Sequence, residues 1–212
     1  MPSLPNCLGL TGRARRHFLA AAAVSRLSFT PAAAAAEAGP NVLGPTAGYS
    51  PETGVLLSEM AWIRSAVLRA VRGMTVEQLD FLLDNQANRI GALLLHLAAT
   101  ERLYQLNTFE NGGAQDLDKN SAFKEWRVPA RQQIKGNNLD YYLSLLRETR
   151  ERTLVEFRKR DDKWLLSVDT GFVWGPTNNL CKWFHVWEHE SHHAGQISLV
   201  ASRTPGSKAA NG

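Results

Sequence analysis

The chain has 212 residues, 44% of them hydrophobic, with two cysteines and a formal charge of +4 at pH 7. The basic excess, with an isoelectric point near 9.3, sits wholly at the front: residues 1–36 carry Arg13, Arg15, Arg16 and Arg26 and no acid, which leaves twenty basic and twenty acidic residues behind them. That balance argues against a nucleic-acid partner, and without a run of about 18 apolar residues a permanent membrane span is not expected.

Residues 1–38 read as an address label rather than as fold. Arg15-Arg16-His17-Phe18-Leu19 is similar to the core of a twin-arginine export signal, and the Ala-rich run that follows supplies small residues for cleavage. Ala14 stands where Ser or Thr is usual, and Arg26 interrupts the apolar region. The expectation is export to a periplasmic or other extracytoplasmic site. The alternatives are an organellar presequence or an Ala-rich disordered tail on a cytoplasmic protein. Cys7 would leave with the signal, and Cys181 alone cannot form an intrachain disulfide.

Residues 39–50, rich in Gly and Pro, read as a linker to a single domain over residues 51–206, with 207–212 as a disordered tail. The first helix is expected over Pro51–Val71, where Val55, Leu56, Met60, Ile63, Val67 and Ala70 recur at spacings of three and four, with Arg64, Arg69 and Arg72 off the stripe. Thr75–Leu79 fits one capped turn. Asn88–Leu106 is the second helix, with a broad apolar face. A long polar connection, residues 107–138, is of the kind often given to function. Asp140–Arg158 is the third helix, whose Arg147/Glu151 and Arg152/Glu156 spacings fit an outward face. The fourth begins near Thr177 or Asn178, either of which can cap it, and ends before Pro205-Gly206. No strand alternation is evident. Four helices with two long connections give an all-α four-helix bundle.

Four histidines crowd into nine residues of the last helix: His185, His189, His192 and His193. At about 100° per residue, His189 and His193 fall about 40° apart and one turn along, a spacing from which two imidazoles reach one metal ion. His185 and Gln196 share that face, and His192 lies to one side. His185 and His193 are about 12 Å apart along the axis, too far to share an ion. A third ligand must come from elsewhere, and His96, in the apolar stretch Leu93–Ala98, is the remaining histidine of the domain. An isolated histidine on such a face also fits a satisfied core residue.

His189-Glu190-Ser191-His192-His193 also spells H-E-x-x-H, the metalloprotease pattern in which the glutamate is a general base. Zincins usually take a third ligand from downstream, yet residues 194–212 contain no His, Asp, Glu or Cys. Glu190 is kept as a candidate base, with a supporting or surface role as its alternative. Glu101 and Tyr104 follow His96 on its helix and are either pocket or surface residues. Trp183 and Trp187 fit helix packing, and Cys181 fits a small core position.

The segments Asn88–Tyr104 and His185–Gln196 together resemble the DinB-like (YfiT-like) metal-binding four-helix bundle superfamily, over roughly Pro51–Gly206. The resemblance implies one histidine on the second helix and an H-x-x-x-H pair on the fourth, here His96, His189 and His193, around one divalent ion (Zn, Ni or Fe). It also implies a small-molecule substrate, a homodimer, and one of two chemistries: hydrolysis of an undefined substrate, or transfer of a metal-activated low-molecular-weight thiol to an electrophile. A non-catalytic, metal-stabilised binding or scaffold protein is the reading from another class. Departures from the family pattern are the export signal and the long 107–138 connection.

Overall fold

A computed structural model of the chain describes residues 41–127 and 133–206; the expected export signal and the tail 207–212 lie outside them. In chain order the elements are α1 (Pro51–Ala70), the turn α2 (Val76–Leu79), α3 (Ile90–Phe109), α4 (Ala114–Asp118), α5 (Leu139–Phe157), α6 (Asp162–Leu165), β1 (Val168–Asp169), β2 (Thr177–Asn178) and α7 (Asn179–Ala201). The helix starts follow local chemistry. Pro51 opens α1 with a φ already suited to a helix. Thr75 and Gln78 close a reciprocal capping box on α2. Asn138 and Asn178 each accept a hydrogen bond from a first-turn N–H of α5 and α7. The start of α1 is served from a distance, since Asp162 accepts from Ser50 Oγ at 2.6 Å and from Thr53 N at 3.2 Å.

The four long helices form an all-α bundle of the DinB-like type. Residues 90–101 of α3 are all buried, as expected of a helix apolar on every side, and α3 packs against both α5 and α7 while α1 packs against α7. At the α3–α5 crossing Gly91 makes room for Tyr142: a Cβ there would lie 2.6 Å from the phenol oxygen. The two short helices and the β1–β2 hairpin escape sequence reading, because two-residue strands show no alternation and α4 and α6 are single turns.

Several expectations are corrected by the packing. Arg64 is buried rather than solvated. Its guanidinium bonds Glu190 and lies 3.0 Å from Glu101, while Arg150 reaches Glu101 at 2.8 Å and Glu190 at 3.2 Å. Each of α1, α3, α5 and α7 thus contributes one charge to a neutral cluster. Thr153 Oγ1 donates to Glu101 at 2.7 Å. Burial alone would raise the Glu101 carboxyl, but Arg150, Arg64 and Thr153 outweigh it and hold the group below the usual range. Glu101 is therefore not a surface residue. Arg152 pairs with Glu110 and not with Glu156, which takes Lys159 and Arg160 instead. Cys181 is exposed, not in the core. Among the described residues no helix is long and apolar enough to cross a membrane.

Candidate metal centre

On α7, His189 and His193 stand one turn apart and face α3, which presents His96. The Nε2 atoms of His96 and His189 are 2.9 Å apart, and one nitrogen from each of His96, His189 and His193 lies within 4.8 Å of the others. Imidazoles on a tetrahedral zinc, with Zn–N near 2.1 Å, would stand about 3.4 Å apart, inside that range. A 2.9 Å contact between two ring nitrogens is also that of a His189 N–H donating to His96; what fits a shared ion is the grouping of all three donors within 4.8 Å.

The partners of the other ring nitrogens orient the set. His96 Nδ1 is 3.1 Å from the Trp126 carbonyl; a carbonyl only accepts, so the proton belongs on Nδ1 and Nε2 keeps its lone pair. His193 Nδ1 is 2.8 Å from Gln196 Oε1, which leaves Nε2 for the cluster in the same way. The Trp126 ring stacks on His96, centroids 5.9 Å apart and planes 15° apart. Burial first, then the neighbouring His193 and His96, push His189 down to about 3. It is therefore neutral, as a ligand must be.

The remaining candidates fall outside the trio. His185 turns its Nδ1 to the Tyr104 hydroxyl, 2.8 Å away, and its ring packs against Trp174. Burial pulls the His185 imidazole down, partly offset by Glu188, and burial pushes the Tyr104 phenol up. His192 is exposed, 3.3 Å from Gln196 Nε2. Glu190 is adjacent to His189 in sequence, yet its two carboxylate oxygens are bonded to Arg64 and Arg150. Trp183 is fully buried between Phe109 and Phe157.

His96 and His189 line a cavity of about 510 Å³ walled by α3, α7 and both long connections. Tyr104, Trp126, Phe172 and Trp174 give it an aromatic wall, and Asn107 and Asp169 line it as well. Sequence reading missed Trp126, Phe172, Trp174, Asn107 and Asp169 as site residues. The available signal was large aromatics inside otherwise polar connections, where a ring needs something to pack on. A larger groove of about 650 Å³ between α1 and α7, which includes Cys181 and Phe184, contains none of the histidines.

Fold and site together define a DinB-like helical bundle with a three-histidine cluster able to hold a divalent metal. Within that class, the chain belongs to the mycothiol S-transferase family, which it matches over residues 55–205. Among solved structures it is similar to one described as the conserved protein of locus from Enterococcus faecalis, at 12% identity and TM-score 0.60, covering 73% of this chain and 97% of that one. This likeness concerns the fold. No curated protein matches the sequence.

Proposed function

We propose that the protein transfers a low-molecular-weight thiol of the mycothiol kind to an electrophile, with His96, His189 and His193 holding one divalent ion. The observation that carries this reading is the convergence of three imidazole nitrogens within 4.8 Å, two of them, on His96 and His189, lining the 510 Å³ cavity, in a chain of this family. Three neutral ligands leave an ion at least one open position. When bound, such an ion lowers the pKa of a thiol placed there, so that the sulfur is a nucleophilic thiolate near neutral pH.

The rest falls to the chain's own residues. The Trp126 carbonyl and Gln196 fix which nitrogen His96 and His193 present. The aromatic wall of Tyr104, Trp126, Phe172 and Trp174 offers flat apolar surface to the electrophile. In the transfer a C–S bond forms and the bond to the leaving group breaks. The leaving group departs with the electron pair, and the thiol proton passes to solvent. Glu190, committed to two guanidiniums, serves in this reading to hold α7 in place rather than as a proteolytic base. Zinc, nickel and iron all suit imidazole donors.

The test is to load the purified protein with each metal and supply mycothiol with chlorodinitrobenzene. Thiol-dependent formation of the thioether is expected, and His96→Ala should abolish it. Ester or amide cleavage without any thiol would replace this reading by a hydrolase. Unfolding on chelation with no turnover would replace it by a metal-stabilised scaffold. We further propose that residues 1–38 direct export of the folded domain, on the strength of Arg15-Arg16-His17-Phe18-Leu19. Retention of an Arg15→Lys/Arg16→Lys variant in the cytoplasm is expected, and unchanged export would refute it.

A further inference from the structure

Resting on the thiol reading above, we infer that Asn107, Asp169 and Lys182 form a second pole of the cavity that holds the hydrogen-bonding tail of the thiol, with Lys182 as its positioning residue. On α3, His96, Thr100, Leu103 and Asn107 all line the cavity. Their spacings of four, three and four put them on one face, with the first and last about three turns, or about 16 Å, apart. On antiparallel α7, Lys182 lies the same distance from His193. On α7, His185 and His189 line the same cavity and Lys182 stands behind its lining, so α3 runs from imidazoles at one end to Asn107 at the other.

Lys182 is 2% exposed. Its Nζ donates to Asp169 Oδ2 at 2.7 Å and to Asn107 Oδ1 at 2.8 Å, and it sits 4.5 Å from the centre of the Phe172 ring. An ammonium only donates, so it fixes the Asn107 amide with its oxygen inward and its NH2 free to donate to a ligand. Asp169 also accepts from Gly171 N at 2.9 Å, which ties the loop carrying Phe172 and Trp174 to the same lysine. Its carboxylate keeps lone pairs for a ligand donor. The Lys182–Asp169 pair is neutral as a unit, so this end of the cavity favours a tail of hydroxyls or amides, which donate and accept, over a carboxylate. Its distance from the histidines requires a thiol longer than cysteine, since sulfur at one pole and tail at the other must both be satisfied.

Binding is tested by calorimetry with S-methylated mycothiol, whose capped sulfur isolates the tail, on protein with and without metal. Asn107→Leu and Asp169→Asn are each expected to weaken binding about tenfold. In turnover they should raise KM for mycothiol far more than KM for cysteamine, with kcat changed little. Lys182→Met should weaken binding as much as Asn107→Leu and Asp169→Asn combined in one chain, and should also speed hydrogen exchange in residues 170–175. If it does not fold, the Asn107 and Asp169 variants, at partly exposed positions, carry the test. Equal loss for mycothiol and cysteamine, or no loss in S-methyl mycothiol binding, would overturn the second pole while leaving thiol transfer intact. A wild-type protein that neither binds S-methyl mycothiol nor uses any thiol would overturn both.

Discussion

His189 and Glu190 are neighbours on α7, about 100° apart around the helix, and they belong to two polar regions built on opposite rules. Glu190 enters a cluster in which Arg64, Glu101 and Arg150 cancel in charge and exchange hydrogen bonds across all four long helices. His189 enters a cluster of like groups whose ring nitrogens gather within 4.8 Å of one another, beside a cavity large enough for a ligand. The first region has closed its own electrostatics and can only hold helices together. The second is left incomplete, and an incomplete donor set is what an ion requires. H-E-x-x-H names both regions with one string of letters, and the helical rotation between adjacent residues separates them.

That contrast can be broken first at the charge cluster. Glu101→Ala leaves the buried Arg64 and the partly buried Arg150 sharing one counter-ion, and a loss of about 3–5 kcal/mol is expected in urea unfolding, with metal affinity of the folded fraction retained. Acid probes both regions. The folded-state pKa of Glu101 is depressed below its unfolded value of about 4.3, so its contribution is full above that value and drains as pH falls through the folded pKa. His189, pushed from 6.5 down to about 3, has the same sign: metal-free protein should begin losing stability below 6.5, before the carboxylate window opens, and His189→Gln should remove only that earlier loss. A urea midpoint flat between those two values would contradict it.

At the histidines the expected order reverses, with metal affinity falling and stability little moved. His96→Ala should lower affinity by more than the tenfold to hundredfold typical of an outer partner, measured by competition with a chromogenic chelator; unchanged affinity would remove His96 from the set. The smallest effect is expected for Gln196→Ala, which removes the hydrogen-bond partner of His193 Nδ1 and should cost about tenfold in affinity with no change in the urea midpoint.

Much of this was legible in the chain. The 3.6-residue stripes placed all four long helices within a few residues of their ends, the Thr75 and Asn178 caps were visible, and the His189/His193 spacing singled out the helix that faces His96. Arg64 was misread because a charge on a helix has solvent as its default, and only partners from three other helices reverse that default.

Local chemistry determined where helices start and stop and which side chains share a face, because those properties depend on neighbours three or four residues away. Tertiary structure alone decided that Trp126 reaches back to His96 across 30 residues and that Lys182 binds both α3 and β1. It also decided that four charges from four helices meet in one cluster. Those contacts join segments with no fixed spacing in sequence. Their geometry comes from how the helices pack, which no short window of residues encodes.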